Sequence, residues 1–214
     1  MELRFDHVVI AARTLDEGVE WVERRLGVAV GGGGKHDVMG THNRLLSLGP
    51  GRFLEVLSID PEAPAPRQPR WFELDRPAMH ERLARGPALI HWVVRTDDIE
   101  AAVDATTSGA RPEILPLTRG AFRWKIAVAS DGGLPRGGIA PTVIQWFSQH
   151  PTEVLPDPGC RLDALVLHHP DAPAMLHELR FAGLSPDDPI QAHHEGNGLE
   201  VRIRSPQGTI EIRE

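Results

Sequence analysis

Three stretches of this chain open alike and close alike, and that repetition restricts the folds available to it. The openers are FDHVVIAA from Phe5, ALIHWVVRTD from Ala88 and LDALVLHH from Leu162. Each is an apolar run of strand length followed by a segment of helical period. Each stretch closes on a second apolar run with one polar residue inside it: FLEVLS around Glu55, VIQWFS around Gln145 and TIEIR around Glu211. The late strands of a unit are joined by tight turns such as Gly49-Pro50-Gly51, which makes them antiparallel. A doubly wound parallel sheet would alternate single strands with single helices instead. The pattern therefore predicts an α+β fold in which tandem βαβββ modules form a mixed, curved sheet around a cup, followed by a third, partial module.

The first module is expected over residues 3–60. Thr14 and Glu17 make a capping box for a helix with the apolar stripe Leu15, Val19, Val22 and Leu26, and Gly27 stops it. A short strand at 28–30, a glycine loop at 31–34 and strands at 44–48 and 52–59 complete it. Residues 61–86 read as a helical insertion. Pro61, Pro64, Pro66 and Pro69 exclude a central strand, and a helix begins with Asp75 as its cap and Pro77 in its first turn. The second module covers 88–148, with Asp97 and Glu100 capping its helix and strands near 122–129 and 142–147. The two modules make one paired domain over residues 1–150. Beyond a proline-rich linker, residues 160–214 form the third, βαβ-type module, with a helix from Asp171 to Gly183 and two closing strands.

Composition narrows the function. A net charge of −7 argues against binding a phosphate backbone, which needs basic patches. No run of eighteen apolar residues is present, so no spanning helix and no membrane partner are expected. One cysteine, Cys160, cannot form an internal disulfide, and a cytoplasmic location fits that. Residues 31–35 fail as a phosphate loop, because Ala29 stands where the first glycine belongs and His36 replaces Ser or Thr.

A polar residue recurring at one place in apolar strands needs a cause, and metal coordination supplies one. The first two openers carry His7 and His91 where the third has Ala164. If alternation turns His7, Glu55, His91 and Gln145 to the concave side, two imidazoles, a carboxylate and an amide oxygen meet. That set suits Zn, Fe, Mn, Co or Ni, and a divalent ion there would polarise a substrate oxygen. Strict alternation puts Phe5, His7 and Val9 on one face and sends Trp146 toward the helix. The competing explanation for each histidine is a hydrogen-bonded core residue, and for Glu55 an edge-strand charge.

The stretches GTHNRL, FLEVLS, HWVVRTDDIEAAV and VIQWFSQHP resemble the vicinal oxygen chelate superfamily, and in particular its glyoxalase-like branch of bacterial proteins. The resemblance is strong over about residues 3–150. It implies two modules paired about a pseudo-two-fold axis, metal ligands His7, Glu55, His91 and Gln145, and Glu55 as the one base within that set. It also suggests a substrate-binding role for His42 and Asn43. Independently, Arg95 lies on the His91 face and could hold a substrate carboxylate; its alternative is an ion pair with Asp97 or Asp98. The expected activity is a metal-dependent lyase or isomerase on a small oxygenated substrate. The alternatives are a metal-free small-molecule binding protein of the resistance type and, less favoured because of Gln145, a ring-cleaving dioxygenase. A homodimer is a further expectation.

Overall fold

The opening strands are apolar on both faces, so the sheet they form must be covered on both sides. The structure is a computed structural model and describes residues 1–107 and 109–213. The first unit comprises β1 (Leu3–Ala11), α1 (Leu15–Leu26), β2 (Gly31–His36), β3 (Thr41–Ser47) and β4 (Phe53–Ile59). A short helix, α2 (Pro77–Ala84), follows. The second unit comprises β5 (Ala88–Thr96), α3 (Ile99–Thr106), β6 (Glu113–Arg119), β7 (Phe122–Val128) and β8 (Thr142–Trp146). The third comprises β9 (Arg161–His168), α4 (Ala172–Phe181), β10 (Ile190–His193), β11 (Gly198–Ser205) and β12 (Gly208–Arg213).

The first two units share one eight-stranded sheet in the order β2-β3-β4-β1-β5-β8-β7-β6. β1 and β5 pair antiparallel at its centre, and each lies parallel to the last strand of its own unit, β4 or β8. That arrangement repeats about a pseudo-two-fold axis between β1 and β5. The sheet curves until its edges β2 and β6 come into contact, so the cup is nearly closed. Thr14 caps α1 by accepting from the Glu17 N–H, and Gly27 ends it in the left-handed region. In α3 the capping side chain is Asp98 rather than Asp97.

The outer face packs on α1, α3 and the third unit in one core that includes Val22, Leu26, Trp92, Leu165 and Met175. The inner face packs on the segment between β4 and β5, whose Trp71, Phe72, Met79 and Leu83 meet Val9, Leu57, Val93 and Ile126. The inserted segment therefore fills the cup instead of hanging beside it. The third unit has its own four-stranded sheet, β10-β9-β11-β12. Its opener β9 lies between β10 and β11, so β12 with Glu211 is an edge strand and does not adjoin the opener as β4 and β8 do.

Three departures from the sequence reading bear on the site. First, strict alternation fails in β1. Phe5 pairs with Val94 but His7 with Val93, so Asp6 is an extra residue, a β-bulge. Phe5 consequently joins the outer core with Val8 and Ile10, while His7 lines the inner cavity. Ile90 is the matching extra residue in β5, immediately before His91. Second, residues 31–34 are an edge strand, not a loop. A Cβ at Gly34 would lie 2.7 Å from the Cδ of Arg119 on β6, so glycine there lets the two edges close. Third, β6 forms despite Pro116, because an edge strand can leave one N–H row unpaired.

Candidate functional site

The bulge in β1 aims two neighbouring side chains at one another. His7 Nδ1 donates to Asp6 Oδ1 at 2.6 Å. The other carboxylate oxygen, Oδ2, accepts from Trp146 Nε1 and from His150 Nε2, each at 3.1 Å. Burial alone would raise the pKa of this fully buried acid, but hydrogen bonds from His150 and His7 outweigh it and hold Asp6 well below the usual carboxylate range. An ionised Asp6 fixes the tautomer of His7: Nδ1 carries the proton and Nε2 faces the Glu55 carboxylate, 3.6 Å from Oε2. The imidazole stacks on Phe53 with ring centres 4.4 Å apart.

Glu55, on the neighbouring strand β4, belongs to a second set of hydrogen bonds. Its Oε1 accepts from Asn43 Nδ2 at 2.7 Å. Asn43 Oδ1 accepts from the Gly34 N–H at 3.0 Å and from Arg119 Nη1 at 2.8 Å. Arg119 Nη1 also donates to His36 Nε2 at 3.3 Å. An arginine only donates, so His36 is neutral and its Nδ1 donates to Thr41 Oγ1 at 3.0 Å. Burial, assisted by the Arg119 charge, pushes the His36 pKa down to about 3. Arg119 is itself pushed down by burial while the Glu55 charge opposes that shift. It remains a cation at neutral pH.

These two sets enclose a cavity of about 40 Å³, walled by aromatic side chains that include Trp71, Phe72, Trp124 and Trp146. That is room for roughly three waters or one small polar group. A larger cleft of about 140 Å³ lies between α3, β7 and α4, lined by apolar residues such as Val103, Ala127 and Met175. Its charged residues, Arg136 and Glu178, pair with each other at 2.6 Å, whereas the smaller cavity gathers His7, Glu55, His36 and Arg119.

Of the residues the sequence singled out, the structure brings together His7, Glu55 and Asn43. His91 is fully buried against Phe72, with ring centres 4.8 Å apart, and its Nε2 bonds Thr142 Oγ1 at 2.9 Å. Burial and the neighbouring His7 push its pKa down to about 3. Gln145 lies elsewhere: its Nε2 donates to Asp97 O at 2.6 Å and its Oε1 accepts from Ile99 N at 3.1 Å, which caps α3 outside the cup. The reason is register. Val9 pairs with Glu55 across β1 and β4, whereas its pseudo-symmetric counterpart Val93 pairs with Thr142 across β5 and β8. Thr142 therefore stands in the place of Glu55, and the following alternation turns Trp146 into the cavity rather than toward a helix.

Arg95 donates from Nη1 to Phe5 O at 2.7 Å and also to Gly51 O, so it holds the bulge backbone. His42 projects away from Asn43, toward Asp60 and Lys35. The sequence reading missed Asp6, His36, Arg119, His150 and Trp71. A residue pair such as Asp6-His7 is a visible signal only once a bulge is allowed for.

A resident divalent ion takes at least three protein donors in most sites. Among the described residues no group of three His, Cys, Asp or Glu side chains is disposed so as to hold a metal ion. His7 and Glu55 face each other, but His91 Nε2 is committed to Thr142 and Gln145 to α3. This donor set does not fit such an ion.

The sequence matches the family described as glyoxalase-like domain over residues 5–182. No curated protein matches it. Among solved structures, a hypothetical protein from Staphylococcus aureus is 14% identical with a TM-score of 0.57, and the alignment covers 100% of this chain and 85% of that one. Methylmalonyl-CoA epimerase from Mycobacterium tuberculosis is 20% identical with a TM-score of 0.42, covering 66% of this chain and 85% of that one. Hypothetical protein BH1468 from Bacillus halodurans C-125 is 16% identical with a TM-score of 0.44, covering 68% and 94%. The Staphylococcus structure shares the fold through the third unit as well.

Proposed function

The chain belongs to the glyoxalase-like domain family, and from that premise we propose that it is a proton-transferring enzyme of the isomerase or lyase class acting on a small oxygenated carbon acid. The observation that carries this reading is the line Asp6–His7–Glu55 at the floor of the aromatic cavity. His7 Nε2 takes the proton from carbon, and the buried Asp6 carboxylate stabilises the resulting imidazolium. His7 then returns a proton, exchanged with solvent, to the carbon, while Glu55 Oε2 borders the same space and steadies the imidazolium as an anion, its other oxygen fixed by Asn43. Walls of Trp and Phe exclude water, which strengthens both electrostatic interactions. The base and the two carboxylates that stabilise its protonated form are all supplied by the chain itself.

The test is solvent deuterium incorporation into pyruvate, 2-oxobutyrate, methylmalonate and methylmalonyl-CoA, followed by proton NMR in heavy water with chelator present. Exchange into at least one substrate is expected, falling about 10²-fold or more in His7→Gln and in Glu55→Gln. Exchange that survives both substitutions, or that is confined to metal-supplemented protein, would overturn the proposal.

A second reading has its own support. A metal-free binding protein would have an aromatic-lined cup with His7 and Glu55 paired, and the two stand at ion-pair distance, 3.6 Å. In that case ligands would bind and be released with their C–H hydrogens intact.

A further inference from the structure

One buried donor in the cavity wall has nothing to donate to, and a cation beside it has no anion. Trp71 is 3% exposed and lines the cavity, and its indole Nε1 has no hydrogen-bond partner among the described residues. Leaving a buried N–H unpaired costs about 1–3 kcal/mol, so such a group marks a place where an acceptor belongs. Arg119 reaches the same cavity from β6, across the seam with β2. Only its Nη1 is engaged, with Asn43 and His36; Nη2 and Nε have no partner among the described residues.

The charges point the same way. Asp6 is matched by three N–H donors, from His7, Trp146 and His150. Glu55 is matched by Asn43 and faces His7. Arg119 makes no direct ion pair among the described residues: its polar contacts are the amide oxygen of Asn43 and the ring nitrogen of the neutral His36, and its guanidinium lies 5.8 Å and 5.9 Å from the rings of Phe122 and Trp124. A guanidinium whose burial disfavours its charge gains most from a fixed negative partner.

We infer that the cavity is built for the carboxylate of the substrate, with one oxygen taking the Trp71 indole N–H and the fork of Arg119 holding the anion. This deepens the proposed function and rests on the reading of this cavity as the reaction site. A planar carboxylate has its two oxygens met by the Trp71 N–H and the Arg119 fork, whereas a tetrahedral phosphate would leave further oxygens without donors. The anion then sits on the Arg119 side of Asn43, which separates it from the Glu55 carboxylate and leaves the adjacent carbon to face His7 and Glu55.

The experiment is a titration of ¹⁵N-labelled full-length protein with acetate, acetamide and inorganic phosphate. The indole N–H resonance of Trp71, assigned through Trp71→Phe, is the readout. Acetate is expected to move that resonance downfield and saturably, while acetamide and phosphate at equal concentration do not. Arg119→Gln is expected to weaken acetate binding at least tenfold. Its remaining indole resonances report whether the variant folds, and if it does not, the comparison of acetate with acetamide on the unaltered chain decides. Acetamide as effective as acetate, an acetate effect unchanged in folded Arg119→Gln, or no acetate shift at all would each overturn the inference. Acetate binding without proton exchange would leave it standing and remove the catalytic reading. Exchange without selectivity for the anion would do the reverse.

Discussion

His36 and His91 are neutral because their rings are buried where no water can solvate a charge. Both have pKa values pushed down to about 3, against about 6.5 for an exposed histidine. The unfolded chain therefore binds protons between those values that the native state refuses. Stability from these two groups is complete above pH 6.5 and falls as the pH drops toward 3, by roughly 1 kcal/mol per pH unit for each histidine. Urea denaturation between pH 4.5 and 7 should show that slope, and His91→Gln should reduce it by about half. Asp6 contributes differently, through the proton it fixes on His7. Asp6→Asn keeps the shape but offers Nδ1 no charged acceptor, so the proposed exchange activity should drop about 10²-fold or more and its pH profile should shift, whereas a purely structural Asp6 would leave the profile in place. His7 and Glu55 were legible in the sequence because a polar side chain in an apolar strand stands out. Asp6 was not, since alternation assigns it to the opposite face and only the bulge brings it round. Gln145 stood out equally and misled, because a count along the chain cannot see that β8 pairs with β5 at Thr142.

At the scale of elements, the segment between β4 and β5 decides how large a substrate the cup admits. Its tip, Trp71-Phe72, points into the cup and is closed off at its base by Arg70, which bonds Asp75 through both its backbone N–H at 2.8 Å and its Nη1 at 2.7 Å. Phe72 and Glu73 both sit in the left-handed region, with φ of 58° and 60°. Side chains there cost about 1 kcal/mol or more each, and the packing of Trp71 and Phe72 holds them in place. Glu73→Gly should therefore stabilise the protein by about 1 kcal/mol in a urea melt, opposite to the usual effect of a new glycine. Phe72→Ala should cost about 3–5 kcal/mol and, if the fold survives, enlarge the cavity enough to bind larger carboxylates, as isothermal calorimetry would show. The prolines of this segment revealed an insertion but not its destination, because they exclude a strand without saying what the chain packs against. Pro116 hid β6 in the same way, and with it Arg119. The glycines at 31–34 suggested a loop until the closing of the sheet gave them a reason to be small.

The molecule as a whole explains why a third unit is present beside a site it does not line. Pairing of β1 with β4 stops at His7, so beside the bulge the backbone groups of Phe5 that point away from β5 find other partners. Phe5 O accepts from Arg95 at 2.7 Å, and Phe5 N–H donates to Asp188 Oδ2 at 2.7 Å. Asp188 belongs to the third unit and is buried; its other oxygen accepts from Arg52 at 2.7 Å. The same unit extends the start of β1, through Leu3 N–H to Gly183 O and Ser185 N–H to Leu3 O. The third unit thus clamps the bulge from the outer face, and the bulge aims Asp6 and His7 at the inner one. Asp188→Ala would leave a backbone N–H and the Arg52 guanidinium without their acceptor, at about 2–4 kcal/mol. It should also disturb the site across the sheet. Trp146 Nε1 bonds Asp6 Oδ2, so its indole resonance reports where the bulge stands. In Asp188→Ala that resonance should move, and proton exchange should fall with the decrease in kcat rather than in substrate affinity, because Arg119 and Trp71 are carried by β6 and the segment before α2 and not by the bulge. Asp188→Asn, which keeps an oxygen for the Phe5 N–H, should restore the Trp146 resonance even though Arg52 stays unpaired by charge. An Asp188→Ala protein with an unmoved Trp146 resonance would mean that the bulge holds its shape without the third unit.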